Sequence, residues 1–526
     1  MTGSRGRDAK LTIEGSRPLD PGDFTFHGFG ELRRDELHKI QRLSIRSNPP
    51  SLSVVDRAIF IPNGYQSSAI HPKFSGGIVT PDGQPIETAQ TERKGGKRIG
   101  GPAETVIVTP KSELDEDVIY LGMLFNHFGR VLLESLARVW YLNEVEQSVK
   151  VLFNNANSAQ AAYASWVPKL VTAFGIPPER ILTLDEPTRL RRAIVPEPLF
   201  KQFYSAHVDM ARPFREVAAR LAADVSPSEQ PLYLSRRRLT SRQRPVVGEA
   251  ELEELLRENG FAIAYPETMT IEDQIRLINS HANIFSSLGS AAHNILFALS
   301  KPRLHLLTSR DAIPANYYLC SMLASAPTTF VNCLGTGGRV SPNDERRNRR
   351  AASVEKPDRK PGQQSVPQLI EMDRAIAYLD QEGFLKKHSR TSAGGQIPVV
   401  DLRRRYDEAW MYARLRKAPS HPGSLPADLE SEAVTLAAES WPVCLMLTLH
   451  HARAKDRART TALATQLAAL VAAETDESRL AYYREDVHGM ANRITRMCDR
   501  ETAERLKSIF ADRFPGETPD GDDALD

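Results

Sequence analysis

Between Gln230 and Leu307, short apolar runs alternate with amphipathic segments at regular spacing, and no other feature restricts the fold as strongly. Leu232-Tyr233-Leu234 reads as a strand, and Glu249 to Glu258 as a helix that stops at Gly260. Phe261 to Tyr265 is the next strand, before Pro266. Thr270, with Asp273 three residues on, predicts a capped helix over Ile271 to Ser280. Asn283 to Ser286 follows as a short strand ending at Gly289-Ser290, then Ala291 to Leu299 as a helix and Arg303 to Leu307 as a strand. Such alternation builds a parallel sheet covered by helices, so a doubly wound α/β domain of the Rossmann type is expected.

A second unit of the same kind precedes it. Val149 to Phe153 reads as a buried strand, Ala159 to Phe174 as a helix and Ile181 to Leu184 as a strand. Gly175 suits the left-handed position after that helix, and Pro177-Pro178 prevents its continuation. From Ser51 to Val108, β-type runs such as Ala58 to Ile61 and Gly77 to Val79 alternate with turn signals. Leu132, Leu133, Leu136, Val139 and Trp140 then recur at helical spacing, predicting one amphipathic helix over Phe128 to Glu144.

The organisation expected is therefore a disordered N-terminus (1–20), an α/β domain with a β-rich start (21–205) and a Rossmann-type domain (206–334). A polar linker (335–368), a helix packing back on these domains (369–390) and a helical C-terminal domain (391–526) follow. Helices of that last domain are expected over Leu402 to Arg416, Val443 to Ala473 and Leu480 to Cys498.

Charge narrows the function. Across 526 residues, 68 Lys plus Arg against 66 Asp plus Glu leave a formal +2, unlike a dedicated nucleic-acid binder. No run approaches the ~18 apolar residues of a membrane-spanning helix, and Met1 to Gly15 has no signal-peptide core. Cys320, Cys333, Cys444 and Cys498 stand far apart, without zinc or disulfide spacing, which fits reduced thiols in a cytoplasmic protein.

Three constellations can carry chemistry. Arg236, Arg237, Arg238, Arg242 and Arg244 follow the first strand of the Rossmann-type segment, at the sheet edge where such folds bind ligands. Guanidinium forks match phosphate oxygens; a solvated basic loop balanced by Glu249, Glu251, Glu253 and Glu254 is the plainer reading. Ser287 to Asn294 is a small-residue turn into a helix, where Gly289 and Ser290 let backbone approach an anion and His293 and Asn294 add donors. A tight packing turn with a capped helix explains the same residues, and the segment is neither a Walker loop nor a GxGxxG fingerprint. Asn126-His127-Phe128-Gly129-Arg130 opens the first helix and brings Arg130 to Glu134 and Glu134 to Arg138 within pairing distance. His127 there suits a general base; a helix cap with a salt-bridge ladder is the alternative.

These three segments, in this order, resemble glycosyltransferase family 61, known from bacterial capsular polysaccharide biosynthesis proteins. The likeness rests on NHFGRVLLESLARVWYL (Asn126 to Leu142), on Leu232 to Glu267 with its Ser-Arg and Glu-x-Glu, and on Glu272 to Ala298 with its Gly-Ser-x-x-His-Asn. It covers about Ser51 to Leu307. The resemblance implies a GT-B-like α/β architecture of two facing Rossmann-type domains, to which the C-terminal helices are an appendage. It also implies inverting transfer of a sugar from a nucleotide-sugar donor to a glycan or polysaccharide hydroxyl, without a cofactor or a required metal. Donor binding would fall to Arg236, Arg242, Arg244, Gly289, Ser290, His293 and Asn294, with Glu251 helping to organise the arginine loop. Catalytic roles would fall to His127, Arg130 and Glu134. Relatives usually carry His where this chain has Arg130, and often Asn where it has Gly248. A catalytically inactive relative serving as scaffold or glycan-binding module is the alternative. Arg403 to Arg405 and Arg453, Arg457 and Arg459 in the tail either meet polysaccharide-assembly proteins or the inner face of a membrane, or are solvated faces. No nucleic-acid partner is expected.

Overall fold

The computed structural model describes residues 16–30, 33–65, 76–93, 97–99, 101–102, 104–155, 166–202, 204–239, 246–309, 313–335, 367–386, 399–416 and 425–515. These residues form a mixed α/β protein with a helical C-terminal part. They divide into two compact units, one made of 1–234 with 269–332 and the other of 235–268 with 333–526.

In the first unit, the 13-residue strand Ser112–Leu124 is the axis of a seven-stranded sheet. Lys150–Asn155 and Thr188–Pro196 flank it in parallel, and Ile181–Leu182 adds beyond the former with Val151 opposite Ile181. That is the expected crossover, and Gly175 takes φ +80 after helix Trp166–Ala173. Residues 156–165, where that helix was expected to begin, lie outside the described residues. Leu52–Asp56 and Ile59–Ile61 run antiparallel to Thr188–Pro196. Gly77–Val79 pairs antiparallel with Ile59–Ile61. Phe60, Ile78, Val118, Tyr120, Leu152, Ala193 and Val195 close the core, each at most 2% exposed. Their burial is the main favourable term in forming this unit.

A second parallel ladder in the same unit orders Leu232–Leu234, Asn283–Ser287, Arg303–Ser309 and the start of Thr328–Gly335. Helix Ile271–Asn279 begins as expected, the Thr270 side chain accepting from the Asp273 amide at 3.1 Å. Ser16–Pro18, expected to be disordered, pairs antiparallel with Ser44–Arg46; residues 1–15 lie outside the described residues. Ser290–Phe297 winds as a 3-10 helix, not an α-helix, while the Asn279 side chain bonds the Phe297 carbonyl and the Leu299 amide at its far end.

In the second unit, Glu249–Glu258 is the expected helix and Ala262–Ala264 the strand after it. Residues 336–366 of the expected linker lie outside the described residues. Helix Met372–Gln381 packs back through Phe384 against Phe261, and the Lys386 amide donates to Asn259 at 2.8 Å. The tail has six described helices, Val399–Leu415, Ala427–Ala437, Trp441–Arg453, Arg457–Ala473, Glu477–Met497 and Arg500–Arg513. The single helix expected over 443–473 breaks at Lys455, at φ +60, and restarts where Asp456 caps the Arg459 amide at 3.1 Å. Tail arginines stay exposed and pair along the surface: Arg403 meets Asp407 at 3.5 Å, Arg404 meets Glu408 at 3.6 Å and Arg459 meets Glu430 at 2.6 Å. No described helix is long and apolar enough to cross a membrane.

Candidate functional site

The long strand of the first unit ends at Leu124 and delivers the chain to His127, whose backbone carbonyl accepts from the Arg130 and Val131 amides at 2.9 Å. The helix expected over Phe128 to Glu144 is three pieces. One turn (Phe128–Arg130) runs into a π-turn (Val131–Ser135), and a 3-10 segment (Val139–Glu144) follows. The widened turn, with the Leu136 amide on the Val131 carbonyl at 3.0 Å, puts Ser135 Oγ under the Phe125 amide at 3.1 Å. It also changes the pairing. Arg130 Nε reaches Glu134 at 2.9 Å as expected, but the Glu134–Arg138 rung does not form. Arg138, 1% exposed, donates instead to the carbonyls of Pro196, Thr88 and Ala89 at 2.9 to 3.0 Å. A single extra residue per turn rotates position 138 off the face that carries 134.

Arg130 is therefore a packed cation. Its guanidinium lies 3.3 Å from the centre of the Phe125 ring as well as on Glu134. Glu134 is 3% exposed and also accepts from Gln202 at 2.9 Å. His127 is the exposed member of the trio, and surrounding protein together with the Arg130 charge lowers its imidazole pKa. A neutral imidazole near neutral pH can take a proton from a hydroxyl.

The turn at Gly289-Ser290 lies in the same unit and packs directly on this one. A Cβ built on Gly129 would stand 2.9 Å from Ser290 Oγ and 3.3 Å from His293 Cδ2, so only glycine allows the approach. Sequence reasoning quoted Gly129 but gave it no role. Gly289 itself is extended at φ −162. His293 is 6% exposed, its Nδ1 is buried without a hydrogen-bond partner, and its ring lies 4.9 Å from that of Tyr317. Burial, and next the His127 charge, lower its pKa to about 4. Asn294 faces away, donating to Gln274 at 2.8 Å. Helix-start amides without intrahelical partners, beside Ser290 and His293, form a polar corner suited to an anion. A cavity of about 640 Å³ opens at the carboxyl ends of the neighbouring strands, beside Leu124, Phe153, Asn154, Val171 and Thr183. The Phe128 and Trp166 rings, 5.4 Å apart, join the His127 turn to the helix that walls it.

Two consequences are measurable. Gly129→Val should displace the Ser290 turn and destabilise the protein by about 1–3 kcal/mol, read from the urea midpoint; a wild-type midpoint in that variant would contradict the packing argument. His293 is neutral in the folded protein at a pH where the unfolded chain protonates it. Its lowered pKa thus adds stability above pH ~6.5 that is lost on acidification toward pH 4, by roughly 3 kcal/mol. Urea midpoints at pH 7 and pH 5 should differ less in His293→Gln than in wild type. Buried His305, lowered to about 3, contributes acid lability to both and leaves the difference to His293.

The second unit contains the arginine loop. Arg242 and Arg244 lie outside the described residues. The turn from Ser235 to Arg238 is held by carboxylates four residues apart on the next helix. Glu249 accepts from the Arg236 amide at 2.9 Å, and Glu253, fully buried, accepts from Ser235 Oγ at 2.6 Å. Arg257 and Tyr265 also donate to Glu253 at 2.7 and 2.8 Å, and Arg237 of the loop pairs with it at 3.6 Å. Arg238 lies over the Tyr265 ring at 4.1 Å. Glu251, the residue expected to organise this loop, reaches Arg405 at 2.5 Å instead. Positions 249 and 253 share a helix face and 251 does not, a spacing that could have pointed to Glu253. Gly248 precedes the helix at φ +91. Glycine adopts that left-handed region without the steric cost a Cβ would bring.

Among the described residues, no group of three or more His, Cys, Asp or Glu is arranged to hold a metal ion. Residues 108–304 match the family model Glycosyltransferase 61. That segment is similar to glycosyltransferases. The matched span takes in the His127 turn, the Ser235–Arg238 turn with its anchoring helix, and the Ser290 turn, and it supports a transferase. It leaves the tail outside. No curated protein matches the chain.

Proposed function

We propose that the protein is an inverting glycosyltransferase that moves a sugar from a nucleotide-sugar donor to a hydroxyl of a glycan or polysaccharide, in surface or capsular polysaccharide assembly. The observation that carries this is the Glycosyltransferase 61 match, which spans all three chemistry-bearing segments. The GT-B-like arrangement and a cytoplasmic setting, with peripheral membrane contact, belong to the same reading. Donor binding is assigned to Arg236, Arg242, Arg244, Gly289, Ser290 and His293, while Asn294, turned to Gln274, supports the Ser290 turn. His127 takes the proton of the acceptor hydroxyl, whose oxygen bonds the anomeric carbon as the bond to the diphosphate breaks. Arginines and helix-start amides stabilise the charge on the leaving diphosphate. Orientation of the two substrates supplies the rest. Glu134 and Arg130 hold the His127 turn in shape. The cavity beside Leu124 and Phe153 offers room for the acceptor.

A thermal-shift screen against nucleotide sugars tests this, because a ligand that binds only the native state raises the melting point. At least one nucleotide sugar should raise it by several degrees, and a flat panel would count against the proposal. The presence of Arg130, where relatives carry His, favours a second reading, a non-catalytic glycan-binding relative. Donor binding without transfer or hydrolysis across a broad acceptor panel would select it.

A further inference from the structure

The tail is outside the matched span, yet it grips the helix that anchors the arginine loop. Both belong to the second unit. Arg405, on the first tail helix Val399–Leu415, binds Glu251 at 2.5 Å. A Cβ on Gly248 would lie 3.7 Å from Leu402 of the same tail helix. Glu251 stands between Glu249 and Glu253, the two carboxylates that fix the Arg236 amide and Ser235. The first turns of Glu249–Glu258 are thus fastened to the loop on one side and to the tail on the other. Tyr482, on tail helix Glu477–Met497, lies within electrostatic reach of Arg236.

We propose that the helical tail is a working part of the arginine loop, with Arg405 a positioning residue that acts through Glu251 on Arg236. This rests on the donor-binding reading given above. The ion pair is partly exposed, with side chains 38% and 23% accessible, so its effect is modest. The full-length chain is titrated calorimetrically with UDP, GDP, ADP and dTDP, and amide exchange is followed over 232–239. Arg405→Ala should weaken the bound nucleotide about threefold to tenfold and speed exchange of the Arg236 and Arg237 amides. Arg405→Lys should restore most of both. In an Arg236→Ala background, Arg405→Ala should cost nothing further, whereas general destabilisation would add its loss there too.

Unchanged affinity and unchanged exchange in Arg405→Ala would overturn the proposal while leaving the donor site standing, as would additive losses. Should wild type bind none of the four nucleotides, the donor reading falls instead. Amide exchange then decides alone, acceleration supporting the brace and its absence refuting it. If Arg405→Ala does not fold, Glu251→Gln takes its place with the same expected outcomes.

Discussion

Arg236→Ala should reduce nucleotide-sugar affinity by roughly a hundredfold, about 3 kcal/mol, while the melting temperature stays within a degree or two of wild type. The size follows from losing one forked guanidinium, whose charge-assisted bonds contribute about 1.5–3 kcal/mol each. The selectivity follows from how the loop is built. Its anchoring bond runs from the Arg236 backbone amide to Glu249, and alanine keeps that amide. Ser235 and Glu253 hold the preceding residue in the same way. Affinity measured by titration and stability measured by melting should therefore separate. If affinity is unchanged, Arg236 is not a donor ligand; if both fall together, the side chain supports the fold instead.

Arg138→Met should destabilise the protein by about 3–5 kcal/mol, a loss readable from the urea midpoint. The guanidinium joins the Pro196 carbonyl at the end of one strand to the Thr88 and Ala89 carbonyls of a separate turn. Burial lowers its pKa to about 10, against the opposing pull of Tyr120 and Glu197, so the charge persists inside the unit. Methionine fills much of the volume but leaves those carbonyls without donors. Gly122, at φ +84, exists to make the space: a Cβ there would lie 2.6 Å from Arg138 Nη1. Gly122→Ala should accordingly destabilise in the same direction. A loss under about 1 kcal/mol for Arg138→Met would mean that water replaces the guanidinium.

Much of this was legible from residue pattern alone. The strands at Leu232–Leu234, Asn283–Ser287 and Arg303–Ser309 and the cap at Thr270 follow from alternation and side-chain chemistry, and they formed where expected. The breakdown of the 128–144 helix was not legible. Leu132, Leu133, Leu136 and Val139 are buried either way, so the apolar period hides the π-turn that re-aims Arg138. The tail misled for a related reason. Its Ala- and Leu-rich stretches continue a helical pattern across Lys455, and only the Asp456 cap marks the restart. The loop anchor was assigned to Glu251, because charge near an arginine cluster is visible in sequence while helix facing decides which carboxylate reaches it. Gly129 was missed because its role lies in contacts with Ser290 and His293, 161 and 164 residues further on.

Sugar transfer leaves a stoichiometric signature. Full-length protein is incubated with the donor selected by the thermal-shift screen and a panel of glycan acceptors, and nucleoside diphosphate and glycosylated product are quantified together. One product should form per diphosphate released, with both signals falling by about a hundredfold or more in His127→Ala and in Arg236→Ala at subsaturating donor. Release without any product, or equal turnover in the His127 and Arg236 variants, would contradict the proposed transfer.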